Sequence, residues 1–377
     1  MSAHSVPPLS IVVNNWNYER YVGLAIDSAL TQTLEGVEVI VVDDGSSDNS
    51  RSVIESFGDR VQAVFKDNGG QGSAFNAGHR VATSPIVIFL DADDVLFPKA
   101  GERIVGAWNP GLSKIHWPMT RIDAEGNPLG GLVPYDPLPA GDMRSLTFEH
   151  GPSSSASSPT SGNAWSRAFL DRVMPVPENT HRIGADAFLF GLAPALGQIL
   201  RISEPLGSYR LHRSNYRGTD FDSRLSAGIA SIQEQWRLLL AISAETGHTP
   251  DVEQWERESY FHRLSRGLDE IERQTQPGDS VILLDEARWG IGRIVRGREF
   301  LPFPELNGSY GGLPADEQQA VGELERMTVR SQARFIAVAW QGYWWLDHYR
   351  LFTEWLKSNA RLLHSGPDVI IFNIPTH

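Results

Sequence analysis

Over roughly the first ninety positions, short apolar runs alternate with amphipathic stretches, and that alternation predicts strands and helices in turn. Leu9-Ser10-Ile11-Val12-Val13 reads as a strand, and Tyr21 to Leu30, with Val22, Ala25, Ile26 and Ala29 at helical spacing, as an amphipathic helix. Val37 to Val42 is a second strand that ends in Asp43-Asp44-Gly45-Ser46-Ser47-Asp48. Ser47 or Asp48 is placed to cap the helix that follows through Ile54 and Phe57. Arg60 to Phe65 makes a third strand, Ser73 to Ala82 a helix, and Pro85 to Leu90 a fourth strand with the composition of a buried parallel one. Such alternation implies an α/β fold with a mostly parallel, Rossmann-like sheet, right-handed crossovers and a ligand crevice at the strand C-terminal ends.

Further along, the pattern changes twice. From Ser223 to about Gln274 it is helical, with Ile229, Ile232, Trp236, Leu239 and Leu240 on one stripe and Gly247 to Pro250 breaking it. Strands then return at Ser280–Asp285, Arg334–Trp340 and Asp368–Asn373, separated by helices at Ala315–Met327 and Leu346–Asn359. The expected organisation is a first domain over 1–220, a helical connector over 221–276 and a small C-terminal α/β domain over 277–377. That last domain shows no glycine fingerprint for a dinucleotide and no obvious nucleophile. Trp344 and Trp345 read as core or interface more than as a sugar platform, although aromatic faces do stack on sugar rings.

Composition narrows the function. The 377 residues are 41% hydrophobic, enough for a large core, and 33 basic against 46 acidic side chains give a net charge of -13. That balance argues against a nucleic-acid or anionic-membrane partner, while a metal-bridged anionic ligand stays compatible. Without cysteine there are no disulfides or thiolate metal sites. No stretch approaches the length of a transmembrane segment, and the start Met1-Ser2-Ala3-His4-Ser5-Val6-Pro7-Pro8 lacks a basic and apolar signal region, so a cytoplasmic protein is expected.

The candidate chemistry lies at the strand exits. Asp91-Ala92-Asp93-Asp94 closes the fourth strand, where neighbouring carboxylates repel unless a cation holds them, and hard oxygen ligands suit Mg²⁺ or Mn²⁺ carrying a diphosphate. Acids at a strand end also serve simply as turn caps. Asp43 and Asp44 close the second strand in the same way. Between them Lys66-Asp67-Asn68-Gly69-Gly70-Gln71-Gly72 reads either as an ordinary turn or as a loop whose backbone amides approach a ligand at Asn68, Gly69 and Gly70. It is not a phosphate loop of the Gly-Lys-Ser/Thr type.

Taken in order, Ser10 to Tyr18, Ser28 to Thr33, Val41 to Asp48, Asn68 to Gly78 and Phe89 to Asp94 resemble the motifs of family 2 glycosyltransferases, which have the GT-A fold. Asn14-Asn15-Trp16 departs from the usual Pro-Thr-Tyr or Thr-Ser-Tyr. The resemblance implies an inverting, metal-assisted transferase using a nucleotide-diphosphate sugar, a UDP-sugar first, in bacterial glycan or glycoconjugate synthesis. By the same resemblance Asn14 and Trp16 would border the base, Asp44 would accept from it, and Asp91 would face the ribose and the metal shell. Asp93 would bind a divalent metal, Mg²⁺ or Mn²⁺, directly, with Asp94 beside it.

Glycosyl transfer also needs a base for the acceptor hydroxyl. Pro159 to Arg167, Pro175 to Glu178 and Gly184 to Leu189 are similar to the acceptor half of the same family, which nominates Asp186 as general base; an acid there also suits a helix N-terminus. Asp136 and Asp142 read as loop acids without a motif. Pro205 to Asn215 resembles the Tyr-Arg-x-His ending of the catalytic domain, so that His212 would complete the metal or diphosphate site and Arg210 would neutralise the leaving group. Glu149 to Ser158 reads as a mobile loop over donor or as a plain linker. Gly312 to Asp316 and Tyr343 to Tyr349 resemble a module appended to some bacterial glycosyltransferases, which would select a glycan, lipid-linked or small-molecule acceptor or make a homo-oligomer. A silent GT-A scaffold is the other reading; a sugar nucleotidyltransferase would need a Gly-rich basic loop after the first strand, where Asn14-Asn15-Trp16 stands.

Overall fold

The computed structural model describes residues 8–212 and 221–375. Residues 1–7, and Arg213, Ser214 and Asn215 of the Tyr-Arg-x-His stretch, lie outside the described residues. The chain divides into two compact units, Met1–Gly218 with Ala230–Glu256, and Thr219–Ile229 with Arg257–His377.

In the first unit, β1 (Ser10–Asn15), β2 (Glu38–Asp44), β3 (Gln62–Lys66) and β4 (Ile86–Asp91) run parallel, with β1 between β2 and β4. Alternation along β1 explains the layers. Ile11 and Val13 pack with Val22, Ala25, Ile26 and Ala29 of the helix Val22–Leu30, while Val12 packs with Ala74, Phe75 and Ala77 of the helix Gln71–Val81. The Phe75 and Phe89 rings stack with centroids 4.1 Å apart. After Asp48, whose carboxylate accepts from Ser50 N at 3.0 Å, the next helix covers only Ser50–Glu55.

The strands run past their apolar cores, and the ladder sets the polar exits in register: Asn14 beside Asp91, Asn15 beside Asp43, and Asp44 beside Lys66. One sheet edge therefore collects the acids.

The sheet continues through β6 (Leu112–His116), β9 (Asn163–Ser166) and β10 (Gln198–Arg201). Among the described residues its seven strands are ordered β10-β6-β9-β4-β1-β2-β3, with β9 antiparallel to both neighbours. A smaller sheet joins β5 (Val95–Leu96), β11 (Gly207–Arg210), β7 (Met119–Ile122) and β8 (Pro128–Val133) in that order. The Glu149 to Ser158 stretch begins within the helix Arg144–His150, buries Gly151, Pro152 and Ser158, and is tied in by Ser158 Oγ donating to Trp117 O at 2.6 Å.

The helical region expected as a connector is Phe221–Thr246, Val252–Glu258 and Tyr260–Gln274. Its residues serve two cores: Leu239, Ile242 and Trp255 join that of the first unit, and Leu225, Leu264, Leu268 and Ile271 that of the second. In the second unit β12 (Ser280–Leu284) lies between β14 (Arg298–Pro302) and β17 (Phe335–Ala339), parallel to both. β13 (Ile294–Val295), β18 (Arg361–Ser365) and β19 (Val369–Asn373) complete the order β13-β14-β12-β17-β19-β18, and β15 (Glu305–Leu306) and β16 (Ser309–Tyr310) form a separate hairpin. Helices Glu317–Ser331 and Arg350–Asn359 cover one face.

Candidate active site

At the exit of β1, Asn14 Nδ2 donates to Asp91 Oδ1 at 2.5 Å, and Asn15 Nδ2 to Asp43 Oδ1 at 2.8 Å. The buried Asn14 Oδ1 has no hydrogen-bond partner among the described residues. Trp16, next in the chain, is 44% exposed and presents an aromatic face at the same edge.

Asp44 is surrounded. Its carboxylate accepts from Lys66 Nζ at 2.5 Å, Asn68 Nδ2 at 3.1 Å, Gly69 N at 3.0 Å and Gly70 N at 2.6 Å. The glycine amides read from sequence as ligand donors thus already donate to Asp44. Asn68 also accepts from Arg182 Nη2 at 2.6 Å through its Oδ1. Glycine is required at position 70, where φ is +90° and an added Cβ would lie 2.6 Å from the Arg182 backbone.

Asp91, Asp93 and Asp94 crowd the exit of β4. Burial, then the Asp93 charge, push Asp91 up to about 7, against the Asn14 hydrogen bond; Asp186 raises it further and Thr160 lowers it. Asp94 is held well above the usual carboxylate range by burial and by Asp93 and Asp91, although Ser161 Oγ and Arg210 N both donate to it. His212 Nε2 pairs with Asp93 Oδ2 at 2.9 Å, its ring edge-on to Tyr18 at 5.6 Å. Among the described residues no three His, Asp or Glu side chains form a ready-made metal cluster. Even so, Asp91 and Asp94, raised by burial and then by the Asp93 charge, offer with Asp93 hard oxygens that a divalent cation fits.

Arg210 holds the acidic turn from beneath. Only 3% exposed, it donates through Nε to Asp93 O at 2.8 Å and through Nη1 to Asp123 O at 3.2 Å, and its guanidinium lies 4.8 Å over the Tyr21 ring.

On the other side, the left-handed Gly184 opens the helix Ala185–Leu196, which places Asp186 in its first turn. Asp186 accepts from Thr160 Oγ1 at 3.0 Å and from Ala187 N at 2.9 Å, and burial raises its pKa. Asp136 is exposed, and Asp142 is paired with Arg144, whose hydrogen bonds hold it down at about 2.

Three residues that sequence reasoning passed over tie the halves together. Gln71 donates through Nε2 to Thr160 Oγ1 at 3.4 Å and accepts from Ala185 N at 3.0 Å. Thr160 in turn sits by both Asp186 and Asp91. Lys114, 1% exposed on β6, donates to Ser157 Oγ at 2.7 Å and Asn163 Oδ1 at 3.1 Å, with its ammonium 4.9 Å from the Phe190 ring centre; burial lowers it to about 7 and the Asp186 charge opposes that. Gln71 and Thr160 stand inside stretches noted for their motifs, whereas nothing in the sequence around Lys114 marks it.

Among known proteins, the model for "Glycosyl transferase family 2" matches residues 10–118. An uncharacterised glycosyltransferase of Nostoc sp. is 32% identical over 307 residues, 78% of this chain and 89% of that protein. One from Rickettsia prowazekii is 39% identical over 103 residues, 27% of this chain and 32% of that protein. Among solved structures, S. aureus TarS 1–349 in complex with UDP-GlcNAc superposes with a TM-score of 0.51 at 15% identity, covering 96% of this chain and 95% of that one, which bears out the GT-A architecture. No helix among the described residues is long and apolar enough to cross a membrane. With its strand-exit motifs inside the family match and 78% of its length aligned to the Nostoc protein, the chain belongs to glycosyl transferase family 2 and is a glycosyltransferase.

Proposed function

We propose that the enzyme transfers a sugar from a nucleotide-diphosphate donor to an acceptor hydroxyl with inversion at the anomeric carbon. The observation that carries this reading is that Thr160 stands between two acids with different duties, Asp91 on the strand-exit side and Asp186 on the helix side. Donor chemistry falls to residues 1–220, with 221–276 as a connector and 277–377 as an accessory domain.

Trp16 offers a stacking face for the nucleoside, Asn14 and Asp44 border it, and Asn68 with Gly69 and Gly70 closes the wall. Asp186 takes the acceptor proton as the oxygen attacks the anomeric carbon; the sugar–phosphate bond breaks opposite, and its electron pair leaves with the diphosphate. Burial makes Asp186 a stronger base than an exposed carboxylate. Asp91 and Asp93, with His212 behind them, would hold a divalent cation, which when bound supplies charge that stabilises the leaving diphosphate. Arg210 acts by fixing the acidic turn.

The test is donor binding and product stereochemistry. UDP binding should require Mg²⁺ or Mn²⁺, and Asp93→Ala should weaken metal-dependent UDP binding by on the order of a hundredfold. NMR of the product should show inverted anomeric configuration. UDP affinity unchanged by chelator and by Asp93→Ala removes the metal role, and a retained configuration removes the single-displacement mechanism.

A further inference from the structure

The second unit has a ligand-shaped edge of its own. From β12 the chain goes to β13 and β14 on one side, whereas from β17 it goes to β18 and β19 on the other, so the connections after β12 and β17 part in opposite directions. Crevices for ligands form at such switch points, outside the C-terminal ends of parallel strands. Here a cavity of about 920 Å³ opens beside β12 and β14, with Leu283, Phe300 and Pro302 in its wall and Tyr310, Arg293 and Arg330 among its polar lining.

The loop after β12 is strained. Glu286 and Ala287 are adjacent non-glycine residues with φ of +55° and +58°, conformations that each cost on the order of 1 kcal/mol and persist where surrounding contacts impose them, commonly at binding sites. What imposes them is visible. Asp285 accepts from Ala287 N at 3.0 Å and Trp289 N at 2.9 Å, and Glu286 Oε1 accepts from the indoles of both Trp344 at 2.6 Å and Trp345 at 3.1 Å.

The two indoles differ in one respect. Trp345 is fully buried against Phe303, Phe352 and Tyr349, while Trp344, held by the same carboxylate, is 39% exposed. An aromatic face locked in place with its N–H satisfied offers rigid apolar area without an ordering cost. Tyr310, on the cavity lining, lies close enough to Glu286 and Asp285 for their charges to act on it; burial is the largest cause holding its hydroxyl protonated, to about 12.

Charge decides the ligand class. Arg293 and Arg330 on the cavity lining are ion-paired with Glu299 and Glu305, and Arg288 lies 3.7 Å from Glu286 itself, so none of the three is available to a phosphate without breaking a pair. A rigid indole, a carboxylate acceptor and a phenolic donor complement a ring with one apolar C–H face and hydroxyls around its rim. We propose that this edge of the second unit binds an uncharged saccharide, stacking one sugar ring on Trp344 and hydrogen-bonding its hydroxyls with Glu286 and Tyr310. The site lies wholly in the second unit and is independent of the donor chemistry proposed above.

The full chain should be tested on an array of neutral oligosaccharides of glucose, galactose, mannose, xylose and N-acetylglucosamine, with calorimetry on the best ligand. Trp344→Ala should weaken binding about tenfold, Trp344→Phe should retain most of it, and Tyr310→Phe should cost about threefold. Asp93→Ala, which alters only the donor edge, should leave it unchanged. Failure to retain any neutral oligosaccharide overturns the proposal, as does undiminished binding by Trp344→Ala or binding lost with Asp93→Ala alone. Should melting show that Trp344→Ala is misfolded, Tyr310→Phe decides: normal affinity there counts against the site.

Discussion

In the first unit the edge made by β1, β2 and β4 gathers Asp43, Asp44, Asp91, Asp93 and Asp94, and burial with mutual repulsion pushes Asp91 up to about 7. In the second, the edge made by β12 and β17 carries Glu286 clasped by two indoles beside the buried Asp285. Both are parallel α/β edges opened by a reversal of strand order. On the readings proposed above, the scaffold supplies the place in both units, while a few exit residues distinguish an edge for a cation and an anionic leaving group from one for uncharged rings.

The largest test of that contrast is Asp186→Asn, nearly isosteric but a far weaker base. Transfer should fall by about a hundred- to ten-thousandfold while UDP affinity changes little, because the proposed base would contact acceptor rather than nucleotide. Since burial raises Asp186, the wild-type rate should increase with pH through a value above that of an exposed aspartate, and the acid limb should vanish in the variant. Near-normal transfer by a folded variant would take Asp186 out of the chemistry.

Next, the two indoles that share Glu286 should differ sharply. Trp345→Ala should cost about 3–5 kcal/mol in urea unfolding, as for a large buried side chain. Trp344→Ala should cost about 1 kcal/mol or less, as a half-exposed one. Equal losses would mean that Trp344 belongs to the core and presents no binding face.

A further effect, read as a slope with pH rather than as a single loss, concerns Lys114. Its folded pKa is lowered from 10.5 to about 7, so between those values the unfolded chain binds more protons and the stability contributed by the neutral amine is lost as pH falls. Lys114→Met should abolish this slope, so its advantage over wild type should shrink as pH rises from 7 towards 10, by at most about 1.4 kcal/mol per unit. Parallel stability curves for the two proteins would show that Lys114 does not titrate in this window.

Lys114 also marks where the sequence stops being legible. Ile86 to Leu90 announces a strand because both of its faces are buried in apolar layers. β6, equally buried, contains Ser113, Lys114 and His116, whose polar atoms find Gln198, Asn163 and Pro139 across the fold, and no local pattern reveals partners so distant. The acids at the strand exits were readable because the ladder extends their own strands. The direction of the Arg210 guanidinium was not: the Tyr-Arg-x-His stretch shows that a cation is present, but only the Asp93, Asp123 and Ala124 carbonyls show that it faces the backbone. Likewise the motif around Gln71 exposed its glycines and hid its amide.

The Gln71 bridge bears on the order of folding. Its carbonyl meets the Ala185 amide 114 positions away, and Gln71 N and Gly72 N donate to Arg182 O and His181 O in the same seam. Contacts of such long range are slow to close, since the entropy of the large loop is lost before they form. The parallel β1–β2 pairing closes a much shorter loop, with partners 28 positions apart. On a ribosome the strand-exit acids would therefore be aligned while the helix carrying Asp186 was still being made, leaving a nascent chain able to assemble one flank of the cleft but not the other. Pulsed hydrogen exchange should find the Gln71 and Gly72 amides protected later than those of Ile11 and Val12; simultaneous protection would mean that the cleft closes with the sheet.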